Sequence, residues 1–270
     1  MGNFSKRIIS GIVYVAVFLI AILYSEQSYL GLLTFFAGVC LWEFLRIIKS
    51  KSFIGYILLG ILSFLLLFNK NILFQKDKIL LVCIIYTLVS GVLLIIDLYA
   101  KVYKTRNQFA IYFLPIKYIV LPFFFLMLLP FIDGIYKPYI IIYTIIIIWV
   151  NDSFAYLVGK NFGENKLFER ISPKKTIEGF IGGLVFSVIA GGIIGYYSSD
   201  FSITNWVIIA IITSIFGTLG DLIESKFKRQ ANVKDSGTIM PGHGGLLDRL
   251  DSLFFLAPFV YLYIHFFIAK

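Results

Sequence analysis

The sequence predicts an all-α, polytopic integral membrane protein with about nine transmembrane helices, and three observations carry that reading. Apolar residues make up 59% of the 270-residue chain and charged residues only 14%, whereas a soluble domain carries about 25% charge. The mean hydropathy is +0.90. The apolar residues gather into stretches long enough to cross the ~30 Å hydrocarbon core, which takes about 20 helical residues. A water-soluble globule and a disordered chain are excluded, and so is collagen, because Gly has no three-residue period. Membrane strands are excluded as well, since they give ~10-residue segments of alternating polarity.

The first stretch, 8 to 24, follows Lys6-Arg7. It reads as an uncleaved helix rather than a signal peptide, because no small-x-small site follows it and further spans do. Stretches 29 to 48, 53 to 68, 79 to 98 and 109 to 131 complete an N-terminal region, 1 to 130, with Glu43, Asp97 and Lys117 as isolated polar exceptions. Glu43 and Asp97 are expected to snorkel to the interface. Cys40 and Cys83 lie in apolar runs without CxxC spacing, so they read as packing residues and not as a disulfide or zinc site.

Stretches 138 to 158, 177 to 197, 204 to 223 and 246 to 268 belong to a second region, 131 to 270, which is expected to carry the chemistry. Its two long connections span 159 to 176 and 224 to 245. Orientation follows from Lys and Arg in alternate connections. With the N-terminus inside, the cytoplasmic segments hold Lys6, Arg7, Arg46, Lys49, Lys51, Lys101, Lys104, Arg106, Lys160, Lys166, Arg170, Lys174, Lys175, Lys226, Lys228, Arg229 and Lys234. The other side holds Lys70, Lys76, Lys78, Lys137 and Lys270. Seventeen against five is a positive-inside bias that puts both long connections in the cytoplasm. It also accounts for the net charge of +9 through anionic lipid, without nucleic acid as a partner.

Three clusters concentrate the polarity. Asn151-Asp152-Ser153 lies within the sixth apolar stretch. A carboxylate costs about 2.5 to 3.5 kcal/mol in a span, so Asp152 either faces a wet cavity or caps the helix near Val150. In the second cluster, Ser172-Pro173-Lys174-Lys175-Thr176 precedes the seventh helix. Ser172 before Pro173 has the form of an N-cap with proline at the first helical position. Lysines at a helix start oppose its dipole unless an anion sits there, which points to a phosphate.

The third cluster holds Asp221 and Glu224, then Lys228-Arg229, Lys234-Asp235, His243-Gly244-Gly245, and Asp248-Arg249 with Asp251. Each acidic pair is spaced i to i+3, which sets its members on one helical face. A tight return between the eighth and ninth spans brings both pairs to one boundary. Clustered hard oxygen ligands suit Mg2+ shared with substrate phosphates, as one ion or two. The Gly-rich run 242 to 245 allows close backbone approach to an anion, and Lys228, Arg229 and Lys234 are placed to neutralise one. With two histidines in the chain, His243 reads as a loop hydrogen-bonding residue or a substrate contact, and His265 as a core or interface residue.

The run from Ser225 to Asp251 resembles the hallmark of the phosphatidate cytidylyltransferase, or CDP-diglyceride synthase, family. Every polar position of that pattern is present, with Met240 at a place usually held by Leu, Ile or Phe. Asn151-Asp152, Ala155-Tyr156, Gly159-Lys160-Asn161-Phe162-Gly163 and Ser172 to Thr176 with Glu178-Gly179 resemble it too. Ile177 stands where an aromatic is frequent and Lys160 where Arg is. The similarity covers roughly 151 to 251.

The resemblance implies transfer of a cytidylyl group from CTP to phosphatidic acid, in phospholipid biosynthesis at the inner face of the cytoplasmic membrane. It implies Asp221 and Asp248 as the principal Mg2+ ligands, with Glu224 and Asp251 in support, and Asp152, Lys228 and Arg229 among the catalytic groups. Asp235 joins them as a supporting or orienting group. Ser172, Lys174, Lys175, Thr176, Lys234, His243, Gly244, Gly245 and Arg249 become substrate contacts. Besides CTP, phosphatidic acid and the bilayer, a second copy of the chain is an admissible partner. Two rivals stay open: a CTP-using polyprenol or phytol kinase, which would release CDP and not pyrophosphate, and a transporter, which would carry its charge near the midplane.

Overall fold

The computed structural model describes residues 3–68, 77–100, 108–240, 242 and 244–268. Among the described residues ten α-helices follow in order: α1 (Asn3–Tyr24), α2 (Glu26–Ile47), α3 (Ile54–Phe68), α4 (Asp77–Tyr99), α5 (Gln108–Pro115), α6 (Leu121–Leu128), α7 (Pro138–Phe162), α8 (Ile177–Tyr197), α9 (Ile203–Gln230) and α10 (Leu247–Tyr263). A π-helical turn, Ile116–Val120, joins α5 to α6, and another, Ile264–Ile268, extends α10. Pro115 and Pro122 flank the first of these turns; each lacks an amide donor, and the wider turn absorbs the break without ending the helix.

The chain is an all-α, multi-pass membrane protein. Among the described residues seven helical stretches are long and apolar enough to cross a bilayer, beginning at Glu26, Leu80, Phe109, Pro138, Ile177, Ile203 and Leu247. The other two predicted spans, 8 to 24 and 53 to 68, give shorter apolar helices, Ile9–Tyr24 and Ile54–Phe68.

Two packing modes build the bundle. Around α2 and α6 the core is made of large rings: Phe44 meets Tyr118 and Phe227, and Phe123 stacks on Phe254 at 5.0 Å between centroids. Around α8 it is made of almost nothing. Gly179, Gly183, Ser187, Gly191 and Gly195, four residues apart, are all buried, while Ile177, Ile181, Val185, Ile189 and Ile193 point outward. A Cβ on Gly183 would lie 2.8 Å from Asn151 Oδ1 on α7, and one on Gly191 would lie 2.7 Å from the Trp206 carbonyl on α9. Small residues at this spacing let helix backbones approach in lipid. They lock α7, α8 and α9 together beneath the polar end.

The connection 159 to 176, expected as a loop, contains an antiparallel hairpin of β3 (Lys166–Phe168) and β4 (Ser172–Thr176), after a first small hairpin, β1 (Phe131–Ile132) with β2 (Ile135–Tyr136). The expected cap at Ser172 is therefore wrong. Ser172 pairs in the strand with Phe168, and Thr176 caps α8, its side chain accepting the Gly179 N–H at 3.1 Å. Lys174 and Lys175 lie on β4, not in a first helical turn. The second connection is shortened, because α9 continues to Gln230 and carries the residues from Glu224 to Arg229 as helix.

Candidate active site

Asp221, Glu224, Ser225 and Lys228 share one face of α9, at spacings of three and four residues. Asp248 and Asp251 occupy the first turns of α10. Gly220 lets the two helices close: a Cβ there would lie 2.8 Å from the Asp251 carbonyl. As a result, carboxylate oxygens of Asp221, Glu224 and Asp251 lie within 4.8 Å of one another. Both acidic pairs meet at one end of the bundle, as their spacing predicts.

Lysines from two directions tie this cluster together. Lys228 Nζ sits 2.5 Å from Glu224 Oε2 and 2.5 Å from Asp248 Oδ1. From β4, Lys175 Nζ reaches Asp221 Oδ2 at 2.5 Å. Burial pulls the Lys175 ammonium downward in pKa, but the charge of Asp221 and its hydrogen bond outweigh that and hold it above the usual lysine value, with Asp251 and Asp152 adding to the effect. Asp221 Oδ1 also accepts the Ser225 hydroxyl at 3.2 Å.

Asp248 has a different environment from the other three carboxylates. Besides Lys228, it accepts hydrogen bonds from Ser236 N at 2.9 Å, Ser236 Oγ at 3.0 Å and Gly245 N at 2.8 Å. It organises the loop before α10 and touches the cluster through Lys228. Gly242 and Gly244 take φ of +77° and +91°, values that favour glycine, and Met240 N donates to the Gly244 carbonyl at 3.0 Å to close the turn.

Two cavities meet at Asp152 and Asp221, which line both. One, of about 480 Å³, is bounded by Glu224, Lys228, Asp248, Arg249 and Asp251 and, on its other side, by Tyr14, Val15 and Phe18 of α1 with Ile145, Ile148 and Trp149 of α7. The other, of about 630 Å³, is bounded by Lys160, Lys166, Lys174, Lys175 and Thr176. Asp152 is exposed and lines both cavities, and α7 runs on past it to Phe162, so no helix end lies near Val150 for it to cap. Its neighbour Asn151 donates to it at 3.2 Å and accepts the Ser214 hydroxyl at 2.6 Å, fixing α7 against α9.

A cytidylyltransferase family model matches residues 5–267. This chain belongs to that family. The phosphatidate cytidylyltransferase of Bacillus subtilis (strain 168) is 36% identical to it over 266 residues, 97% of each chain. The protein of the same name from Staphylococcus haemolyticus (strain JCSC1435) is 50% identical over 128 residues, 47% of this chain and 48% of the relative. That of Staphylococcus aureus (strain COL) is 52% identical over 120 residues, 44% and 46% of the two chains. Membership of the cytidylyltransferase family makes the chain an enzyme of nucleotidyl transfer.

Such an enzyme must hold a triphosphate, and the site's charge balance bears on how. Asp152, Asp221, Glu224, Asp248 and Asp251 face only Lys175 and Lys228 at ion-pair distance among the described residues. Glu224 is 1% exposed, and its Oε1 has no hydrogen-bond partner. A buried carboxylate oxygen without a donor is costly, and a cation among three hard oxygen donors would relieve it. The residues present thus fit a divalent metal at Asp221, Glu224 and Asp251.

Other expected residues fall elsewhere. Lys234 is exposed and lines a separate cavity of about 420 Å³ beside Arg46 and Lys49, and Asp235 lies at its edge and at that of the central cavity. Arg229 donates to the Ile171 and Val233 carbonyls at 3.3 Å each and lines neither central cavity. Ser172 lies outside both as well. His243 falls outside the described residues.

The two carboxylates expected to snorkel do not. Asp97 pairs with the buried Lys226 of α9 at 2.9 Å. Glu43 is fully buried and accepts hydrogen bonds from Ser236 Oγ, Leu246 N and Leu247 N at 3.0, 3.2 and 2.8 Å. Neither Glu43 nor Ser236 was expected at the site. A carboxylate inside an apolar stretch was the available signal for the first.

Proposed function

We propose that the chain transfers a cytidylyl group from CTP to phosphatidic acid, giving CDP-diacylglycerol and pyrophosphate, with Mg2+ as cofactor. The observation that carries the reading is the acidic wall shared by two unlike cavities. On one side four lysines suit a nucleotide triphosphate; on the other, apolar residues of α1 and α7 suit a lipid whose headgroup meets Lys228 and Arg249. The name of the relatives agrees with this division. The positive-inside bias supports a site on the cytoplasmic side of the cell membrane, with the N-terminus inside.

In this reading a phosphatidate oxygen attacks the α-phosphorus of CTP, the α–β bridging P–O bond breaks, and pyrophosphate leaves. A phosphate monoester is already ionised near neutral pH, so no residue need act as general base. Lys175, Lys174, Lys160 and Lys166 orient the triphosphate and offset its charge, and Lys175 holds Asp221 in register. Lys228 bridges Glu224 and Asp248, so the loop before α10 and the acidic cluster keep a fixed separation. Asp152, at the junction of the cavities, orients the incoming groups. Arg229 braces the hairpin through the Ile171 carbonyl. Asp221, Glu224 and Asp251 would hold a divalent ion, which would supply Lewis-acid charge for the phosphate oxygens.

The test is an assay with the purified chain, Mg2+, short-chain phosphatidate and CTP labelled at the α-phosphate. Label in a CDP-lipid, with one pyrophosphate per turnover, is the expected outcome. Release of labelled CDP together with a phosphorylated lipid would replace this reading with the kinase.

A further inference from the structure

Glu43 lies on α2, far in sequence from every motif residue, yet its carboxylate is packed inside the loop that shapes the site. Among the described residues its donors are all neutral: the Ser236 hydroxyl and the amides of Leu246, just before α10, and Leu247, its first residue. Leu246, the capping residue of α10, offers no side-chain cap of its own, so Glu43 supplies from another helix the anion that a helix start favours. Room for it depends on glycine: a Cβ on Gly245 would lie 2.6 Å from both Glu43 oxygens, and one on Gly237 would fall against Oε1.

Ser236 links this carboxylate to Asp248. Its hydroxyl oxygen is 3.0 Å from Glu43 Oε2 and 3.0 Å from Asp248 Oδ2. A hydroxyl has one proton to donate, so the two carboxylates share one donor and their spacing is set jointly. Asp248 in turn holds Lys228, which holds Glu224. The chain of contacts runs from α2 to the acidic cluster without a gap.

We propose that Glu43 is a positioning residue for nucleotidyl transfer: through Ser236 and the first turn of α10 it fixes Asp248, and through Lys228 the geometry of the reacting cluster. The N-terminal region thus sets the catalytic end of the bundle as well as anchoring it. This rests on the reading that Asp248 belongs to the reacting site.

The experiment compares Glu43→Gln, Ser236→Ala, the double variant and Asp248→Asn in bilayer nanodiscs, with thermal unfolding and steady-state kinetics on each. Glu43→Gln keeps the side chain's size but turns one oxygen into a donor that faces donors. The expected result is a folded enzyme whose kcat falls by about 10- to 100-fold while its KM for CTP changes little. The losses from Glu43→Gln and Ser236→Ala should be non-additive in kcat, because both act on Asp248. Wild-type kcat in Glu43→Gln, or strictly additive losses, overturns the proposal. So does a loss that disappears once rates are normalised to folded protein. If Asp248→Asn keeps full activity, the site reading itself has failed; if Asp248→Asn is inactive and Glu43→Gln is normal, only this inference has.

Discussion

The ring-packed part of the bundle and the glycine-packed part solve different problems. Around Phe44, Tyr118, Phe123 and Phe254, the helices are held by interlocking side chains that are fully buried. Around α8, backbones touch across Gly183 and Gly191, and the polar groups that meet there, Asn151 and Ser214, are hydrogen-bonded. Aromatic packing tolerates adjustment, because rings can shift and neighbours can follow. Backbone contact does not, and it is the mode used where Asp152, Lys175 and Asp221 must be held relative to one another. Precision in this protein is built from absent side chains, with the larger side chains supplying bulk stability.

The largest effects should come from the carboxylates that this framework brings together. Asp221→Asn and Asp251→Asn should each lower kcat by about 10³-fold or more while the protein still inserts and elutes as the wild type. Glycine comes next. Gly245→Ala would push a methyl group into Ser236 and Glu43, and a displacement of about 1 Å at such a site costs about 10²-fold in rate. A near-normal rate in Gly245→Ala would mean that the loop before α10 adjusts freely and that close packing against Glu43 and Ser236 does not set the site.

A smaller effect is expected at Lys175. Lys175→Gln removes a charged hydrogen bond worth about 1.5–3 kcal/mol, and the KM for CTP should rise about ten-fold or somewhat more. The pH dependence has a definite sign. Because its pKa is raised by Asp221 against the opposing effect of burial, the ammonium is retained below the ordinary lysine value of about 10.4 and lost only above it. The wild-type KM for CTP should therefore be flat from about pH 7 to about pH 9 as far as this group is concerned. An alkaline rise within that range that vanishes in Lys175→Gln would contradict the pairing.

Composition and run length were enough to read the helical membrane fold, and spacing was enough to read the pairs Asp221 with Glu224 and Asp248 with Asp251, because helical periodicity converts sequence distance into a face. What was not legible has physical causes. The hairpin hid in the long polar connection 159 to 176, where Ser-Pro mimics a helix cap. Glu43 looked like a snorkelling residue because its donors, two amides and the Ser236 hydroxyl, lie about two hundred positions away, and nothing local announces them. The small-residue ladder on α8 was in plain sight as Gly179, Gly183, Ser187, Gly191 and Gly195. Its four-residue period went unread, and with it the reason α7, α8 and α9 sit so close.

The smallest effect on chemistry should come from the ring-packed side. Phe123 is fully buried on α6 and stacks on Phe254 of α10, less than one helical turn beyond Asp251 and less than two beyond Asp248. Phe123→Ala should cost about 3–5 kcal/mol of stability by leaving a cavity, visible as a lower midpoint in thermal or detergent unfolding. Below that midpoint, kcat per folded molecule should stay within about two-fold of wild type, because the neighbouring rings can relax into the space without moving the first turn of α10. If kcat instead falls as steeply as in Gly245→Ala, then strain travels along α10 from its middle to Asp251 and Asp248. The aromatic core would then have to be counted as part of the catalytic framework, beside the glycine ladder.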